Sequence, residues 1–514
     1  MSAPTVTITP PPPTALFFES PCICQQQQQQ QTSTSPSLFK TNIDTQLQPE
    51  TTTLKFAFAK CSRLQHVLGL MLQTLQLSKA TWQHIHALEI GLLPQPTCES
   101  FGDWQTTIQE QDTVAFKQAF PNVTELAVDL EIDKPDSELA PECIDGLTGF
   151  SQLLATMYCD KLCRLQCNAA IGLENKCRFD NLKELRLNAA NVPASRLFAC
   201  LNLRTLTDLA LQNLHPWFDW TVLNRLTSPR AEPLQNITSL AIEYIEHPDS
   251  LVAETTRYSQ RNTPRTRFVF RKLFSLEISN YPDCANFFST TGCLGHLQYA
   301  QYSGTISGFQ SFYGSLVSVG SLAIRITEIP MRHQKMFYDI TNNLFGPRTD
   351  TTRCIVIEND ADLFIMDSRF ALDMNKTRWT RITRLLIHAA VNYRDITRGI
   401  VKKNPVLQSL GLFQVRITND EISNARAKRN SSDGFKHKGS CLTSKLKHLA
   451  VGFARTDYAS DNFEYLCNNL VDMVMAFKYL RELDLQACVF RECCVGEVFG
   501  QHIVSEEIAC RFID

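Results

Sequence analysis

The pair His84 and His86 is the first place in the chain where residue type and spacing suggest chemistry. In a strand, these two side chains would point to the same face and could supply two ligands to a zinc ion. No cysteine or histidine follows them at the spacing of a zinc finger. We therefore expect no metal at this pair.

Three cysteines are a second candidate, since Cys159, Cys163 and Cys167 are four residues apart. In a helix they would share one face and could hold a metal ion. Leu162, Leu165 and Cys167 also match an apolar pattern that recurs along the chain and favours a turn and a strand. The 19 cysteines are scattered and often lie in apolar runs, so buried, reduced thiols are the favoured interpretation.

The other reactive motifs are incomplete. Asp360 and Asp362 have no further carboxylates at ligand spacing, so a solvated turn is expected there. Cys493 and Cys494 lack a complete ligand set, and the sequence contains no phosphate-binding P-loop, no GxSxG elbow and no HExxH helix. We predict a protein that is not an enzyme, with no cofactor, metal or catalytic residue. An enzyme in an irregular α/β fold is the weaker alternative.

Composition indicates a large folded part. Of the 514 residues, 44% are hydrophobic and 20% are charged, as in ordinary globular proteins. The formal net charge of −2 gives no global field to hold a polyanion, which disfavours a nucleic-acid partner. The chain starts without the pattern of a signal peptide and has no apolar run of about 18 residues, so we expect a cytoplasmic or nuclear protein without a membrane segment.

The first 53 residues differ from the rest of the chain. They contain the proline run Pro10–Pro13, the glutamine run Gln25–Gln31 and a stretch rich in serine, threonine and proline. Such a segment cannot bury enough apolar surface to offset the entropy of ordering it. We predict that residues 1–53 form a disordered tail.

From Leu54 onward a short pattern returns: an apolar residue, two variable residues, a second apolar residue, one variable residue and a third apolar residue. Clear copies begin at Leu182 and Leu480, and the starts from Val123 on lie about 30 residues apart. The last two apolar residues of each copy point to one side of a strand, and stacked strands join these strips into one core. Helix-like stretches, such as 193–203 and 463–477, lie between the strands.

This arrangement predicts an α/β fold, an irregular leucine-rich-repeat solenoid with a curved parallel sheet and outer helices. Its expected parts are an N-terminal cap with the first degenerate repeats over 54–122, the solenoid over 123–490 and a C-terminal cap over 491–514. An ordinary α/β domain whose strands happen to match the pattern is the alternative.

The segments 120–130, 160–171, 179–192 and 206–220 carry a resemblance to irregular leucine-rich-repeat proteins of the ribonuclease-inhibitor-like type, especially fungal F-box/leucine-rich-repeat-like proteins. Cys488 stands where the cysteine-containing repeat subtype has its cysteine. The resemblance implies repeats that recognise a substrate protein and an F-box that docks on the adaptor of an SCF-type ubiquitin ligase.

The chain departs from this family at its N-terminal part, where no Leu-Pro-x-Glu F-box opening is found. Residues 54–77 are apolar and are either a cap over the first repeat or the remnant of such a module. We therefore expect a protein–protein interaction scaffold or a substrate-recognition receptor, with ubiquitin ligation as the role that the resemblance implies. A non-ligase structural or degenerate repeat protein is the alternative.

In repeats of this kind, the variable residues beside the strand leucines project from the concave face, where the resemblance places a protein substrate or partner. The corresponding positions here are Glu125, Asp129, Arg164, Gln166, Glu184, Arg186, Asp208, Glu243, Glu277, His296, Gln298, Arg325, Arg384, Leu386, His388, Phe413, His448 and Asp484.

Leu386 and Phe413 are apolar at positions that should meet water. They are either part of a hot spot for a partner or core residues of a register shifted by one. A basic stretch between Arg426 and Lys438 is either a solvated loop or a patch for nuclear import or an acidic partner.

Overall fold

The computed structural model describes residues 16–19, 53–58, 83–92, 110–130, 152–170, 177–190, 192–223, 234–245, 270–282, 285–291, 294–328, 352–359, 381–392, 404–416, 445–453, 479–486 and 509–513. The chain divides into two compact units. The first comprises Met1–Ile245 with Thr263–Phe268, and the second comprises Glu246–Asn262 with Val269–Asp514.

The first unit is a ladder of parallel strands, each paired with the next one along the chain. The strands are β1 (Leu16–Glu19), β2 (Thr53–Phe58), β3 (Ala87–Leu92), β4 (Glu125–Leu130), β5 (Arg164–Ala170), β6 (Glu184–Asn188), β7 (Asp208–Leu214) and β8 (Ser239–Tyr244). The helices are α1 (Glu110–Ala119), α2 (Ala194–Cys200) and a helical segment over 152–158. Helix α2 confirms the helix expected between the strands near residue 193.

The core of the first unit includes the apolar residues that the repeat pattern identifies. Three buried rows run across its strands, one from each apolar position of the pattern, so each strand stacks its apolar strip on that of its neighbour. The first row is Val123, Leu162, Leu182, Leu206 and Ile237; the second is Leu126, Leu165, Leu185, Leu209 and Leu240; the third is Val128, Cys167, Leu187, Leu211 and Ile242.

A ladder of asparagines fixes the turns that lead into these strands. The Nδ2 atoms of Asn122, Asn181 and Asn236 each donate to a backbone carbonyl of the preceding repeat, at 2.7, 2.8 and 2.7 Å. Each of these asparagines directly precedes the first buried residue of its repeat. The side chain therefore satisfies a turn carbonyl that strand pairing leaves open.

The second unit repeats this parallel ladder. Its strands are β9 (Ser275–Ser279), β10 (Leu294–Thr305), β11 (Leu316–Glu328), β12 (Cys354–Asn359), β13 (Arg384–Asn392), β14 (Ser409–Arg416), β15 (His448–Phe453), β16 (Glu482–Gln486) and β17 (Ala509–Ile513). Its helices are α3 (Phe287–Thr290) and α4 (Ile306–Ser315). Helix α4 packs its buried Phe309 and Phe312 against the ring of Tyr302, with ring centroids 5.4 Å away in both cases.

The register of β10 differs from the one that the sequence predicts. Ala300 and Tyr302 are aligned with the buried Leu276 and Ile278 of β9, so the repeat in this strand begins at Leu297 and not at Leu294. The strand is long and buries apolar residues at both ends, so two registers match the pattern. Pairing with β9 selects the later one.

Each unit thus has the open, all-parallel sheet with few helices that is typical of a solenoid-like α/β fold. The short strand β1 lies inside the predicted tail 1–53, where Leu16, Phe17 and Phe18 form an apolar run. The described residues do not include 463–477, the acidic pair at Asp360, the basic stretch from Arg426, Cys488 or the pair at Cys493. Residues 59–77 of the apolar segment 54–77 and most of 491–514 also lie outside them. None of the described helices is long and apolar enough to cross a membrane.

Candidate interaction face

The side chains that alternate with the buried rows form what we call the variable face of each unit. Parallel pairing aligns two positions of every repeat in two columns that run across the strands, and in some strands a third position follows the last buried residue of the pattern. In the first unit, the first column is Glu125, Arg164, Glu184, Asp208 and Ser239, and the second column is Ala127, Gln166, Arg186, Ala210 and Ala241. All ten residues are exposed or half-buried, as the sequence predicts for this face.

An ion-pair ladder organises part of the first unit's face. Arg164 lies between two carboxylates, with Nη1 3.8 Å from Oε2 of Glu125 and Nε 3.2 Å from Oε2 of Glu184. All three side chains are almost half exposed, so the ladder sets their orientation more than it stabilises the fold. Arg186, in the neighbouring column, is exposed and makes no ion pair with the described residues.

Glu243 occupies the third variable position of β8, directly after the buried Ile242. It is half-buried, and this burial raises the pKa of its carboxyl group above the ordinary value.

The second unit presents longer columns. The first is Ser275, Tyr299, Ser321, Cys354, Arg384, Ser409, His448, Glu482 and Ala509; the second is Glu277, Gln301, Ala323, Val356, Leu386, Gly411, Ala450, Asp484 and Arg511. Arg325 follows Ala323 by two residues and is exposed on the same face. Because β10 has the later register, Tyr299 and Gln301, and not the expected His296 and Gln298, stand in these columns.

Leu386 lies on the variable face, as its predicted register requires. Its neighbours Leu385 and Ile387 are buried, whereas Leu386 itself is half-buried and is aligned with Val356 on one side and Gly411 on the other. The alternative that Leu386 belongs to the core is therefore excluded. His388 and Phe413 each follow a buried residue at an interruption of the strand pairing between β13, β14 and β15.

Three polar residues on neighbouring strands form a hydrogen-bonded chain that sequence reasoning missed. Oγ of Ser409 is 2.9 Å from Nδ1 of His448, and Nε2 of His448 is 2.7 Å from Oδ2 of Asp484. Asp484 is 8% exposed. The individual positions of His448 and Asp484 on this face were predicted, but no sequence signal joined them to Ser409, because 39 and 36 residues separate the partners.

The chain Ser409–His448–Asp484 has the residue types of a nucleophilic triad. Acyl transfer also needs free donors for the developing oxyanion, and backbone N–H groups usually supply them. Here the N–H of Ser409 donates to the carbonyl of Thr383 at 3.0 Å. The nucleophile's own N–H is thus committed to the sheet, so the arrangement is better suited to hold His448 and Asp484 in place than to catalyse hydrolysis.

The cysteines singled out by their spacing lie as the repeat pattern favours. Cys159 begins the turn after the helical segment 152–158, Cys163 lies directly before β5, and Cys167 is buried in β5. His84 and His86 precede β3, and Nδ1 of His86 lies 3.1 Å from the carbonyl oxygen of Asn122. Among the residues that the structure describes, no three metal-ligating side chains come together.

No protein-family model matches the chain, and no curated protein matches it significantly.

Proposed function

We propose that the protein is a leucine-rich-repeat scaffold that binds a partner protein on the variable face of its second unit. The observation that carries the proposal is the alignment of variable side chains into two columns over a buried core. Neighbouring strands lie about 4.8 Å apart, so each repeat adds side chains to one continuous surface that a protein can contact.

Apolar side chains on this surface support the choice of the second unit. Val356 and Leu386 are half-buried and adjacent in the second column, and the small Gly411 and Ala450 continue the column toward β16. Interfaces bury apolar residues at their centre and polar residues at their rim. Arg384 and Ser409 in the first column supply such a rim.

Within this proposal, the narrower role is that of a substrate receptor for an SCF-type ubiquitin ligase. The resemblance of the repeats to F-box/leucine-rich-repeat-like proteins motivates it. The described residues offer no separate support for an adaptor-docking module. The proposed binding function therefore does not depend on the ligase role.

Affinity purification of the full-length chain, compared with Leu386→Glu, tests both the binding function and the ligase role. A charge at this position should remove partners that use the variable face, because it buries a carboxylate in their interface. Val317→Glu is the matched control, since Val317 is 43% exposed in β11 and lies outside the two columns.

Equal recovery of all partners with Leu386→Glu and with the unmodified chain would contradict binding on this face. Recovery of a ligase adaptor together with a cullin supports the receptor role. Partners without these two components leave a binding scaffold and exclude the ligase link.

A further inference from the structure

The second unit carries a row of basic residues at the edge where its strands begin. We call it the basic edge, and it comprises Arg353, Arg381, Arg384, Lys445, Lys447 and Arg481. All six side chains are exposed, and they lie at the starts of β12, β13, β15 and β16.

Backbone hydrogen bonds hold this edge in a regular line. The carbonyl oxygen of Arg353 accepts from the N–H groups of Thr383 and Arg384, at 2.8 and 3.1 Å. The carbonyl of Lys447 accepts from Arg481 and Glu482 in the same way, at 2.8 and 3.0 Å. From β12 to β16 there are four strand spacings, so the edge is about 19 Å long.

The six cations are not neutralised within the described part of the chain. None of them takes part in an ion pair or a side-chain hydrogen bond there. On the same strands, the carboxylate of Asp484 is engaged with His448, and the exposed Glu482 directly follows Arg481, so the edge carries six cations beside one exposed carboxylate. The first unit differs, because Arg164 there lies between two carboxylates. The basic edge therefore retains positive charge for a ligand.

An apolar stripe runs beside the basic edge on the variable face. It consists of Ala323, Val356 and Leu386, which are half-buried and which parallel pairing aligns across β11 to β13. Gly411 and Ala450 follow in the same column and are buried. Val356 follows Arg353 by three residues, so the stripe and the edge are about 10 Å apart along the strands. A ligand that crosses the strands can contact both.

We propose that the basic edge and the apolar stripe together bind an acidic segment of a partner protein that also carries apolar side chains. This inference rests on the proposed function and names the chemistry of the partner. The carboxylates of the segment pair with the edge, and its apolar side chains cover Val356 and Leu386. An extended segment of about six residues spans the edge, since a strand advances about 3.3 Å per residue.

A nucleic acid fits these observations less well than a peptide does. Phosphates could pair with the edge, but bases need aromatic faces on which to stack, and the apolar stripe contains none. Leu386 and Val356 instead match the aliphatic side chains of a peptide.

The test uses the full-length chain and fluorescent peptides of eight residues that contain either Glu, Asp and Leu, or Lys and Leu, or Glu and Gly. Polarisation should show tightest binding of the Glu/Asp/Leu peptide, weaker binding of the Glu/Gly peptide and none of the Lys/Leu peptide. Binding should weaken as salt is raised, because exposed charges are screened.

The double substitution Lys447→Glu/Arg481→Glu should lower the affinity for the Glu/Asp/Leu peptide about tenfold or more. The matched control is Lys183→Glu/Arg204→Glu, which makes the same change of net charge at two exposed cations of the first unit that have no ion-pair partner in the described part of the chain. It should alter the affinity less than twofold. An equal loss of affinity in the edge variant and in the control would contradict binding of the peptide at the basic edge.

A single-stranded oligonucleotide that binds tighter than every peptide, and loses affinity in the edge variant, would also overturn the proposal in favour of a nucleic acid. If no acidic peptide binds while cellular partners are still lost with Leu386→Glu, the acidic partner is wrong and the proposed function stands. If partners are kept with Leu386→Glu as well, both are wrong.

Discussion

Nε2 of His448 lies 2.7 Å from Oδ2 of Asp484, although 36 residues separate the two in the chain. The contact exists because β15 and β16 pair in parallel and place His448 and Asp484 in neighbouring columns of the variable face. Ser409 extends the contact to β14 through the other ring nitrogen. One imidazole therefore ties three strands together at a point where the sheet carries a nearly buried carboxylate.

His448→Ala should destabilise the protein, because it removes one hydrogen-bond partner of the nearly buried carboxylate of Asp484. The expected loss is about 1–3 kcal/mol in the free energy of unfolding. Chemical denaturation monitored by circular dichroism measures it. Ser409→Ala removes only a hydroxyl and should cost about 0.5–1.5 kcal/mol. A larger loss of stability for Ser409→Ala than for His448→Ala would contradict the expectation that the bond between His448 and Asp484 contributes more.

The repeat pattern predicted most of the strand register correctly, for a physical reason. Leu185 and Leu187, like their counterparts in other repeats, can be buried together on one side of a strand only in one register. The predicted register of β10 was wrong, because Leu294 and Leu297 are both buried and match the pattern three residues before the true start of the repeat. The register of β10 is decided by its pairing with β9, and the sequence of β10 alone carries no information about that pairing.

The polar features of the structure were harder to predict than its core. Asn122, Asn181 and Asn236 stand at one fixed position of the pattern, so their ladder was visible in the sequence in principle. The contact of Ser409 with His448 was not visible, because the insertions between repeats vary in length and hide which variable residues become neighbours. The basic edge was missed for the same reason.

A second prediction concerns the hydroxyl group of Tyr158, which is fully buried in the helical segment 152–158. Its oxygen has no hydrogen-bond partner among the residues that the structure describes, and burial raises the pKa of the hydroxyl above the ordinary value. Tyr158→Phe removes this unsatisfied group and should stabilise the protein by about 1 kcal/mol. The denaturation midpoint should rise accordingly.

Tyr302→Phe serves as the control for this substitution. Tyr302 is equally buried, but its hydroxyl donates to the carbonyl of Thr305 at 2.7 Å. Tyr302→Phe should lower the free energy of unfolding by about 1 kcal/mol, because it deletes the hydroxyl that donates to the carbonyl of Thr305. Equal changes in both variants would show that Tyr158 has a partner in solution.

A third prediction follows from the burial of Glu243. Its carboxyl has a raised pKa in the folded state, so folding favours the protonated form. Its favourable contribution is present below the unfolded-state value of about 4.3 and is lost as pH rises through the folded-state value. Glu243→Gln, which cannot ionise, should therefore be more stable than the unmodified chain at pH 7.

Thermal unfolding at pH 4 and pH 7 measures this difference, which should shrink at the lower pH. Glu277→Gln is the control, because Glu277 occupies the second column of the other unit and is exposed. It makes the same change of charge at an exposed carboxylate and not at a half-buried one. A stability gain at pH 7 that persists undiminished at pH 4 would argue against ionisation as the cause.

The last prediction concerns Gly308 in the first turn of α4. Its N–H donates to the capping side chain of Thr305 at 3.3 Å, which holds the start of the helix against the sheet. A Cβ atom at this position would clash with the carbonyl oxygen of Tyr281 and the hydroxyl of Tyr302. Tyr281 presents backbone and Tyr302 is buried, so neither can move aside easily.

Gly308→Ala should therefore cost about 1–3 kcal/mol of the free energy of unfolding. Gly314→Ala tests the same substitution in the same helix, where no atom lies within 4 Å of the added methyl group. It should instead stabilise the protein by about 0.5–1 kcal/mol, because alanine loses less conformational entropy in a helix than glycine does. If one denaturation series shows a loss of stability for Gly308→Ala and a gain for Gly314→Ala, the close contact of α4 with the backbone of Tyr281 is supported. A gain of stability in both variants would refute it.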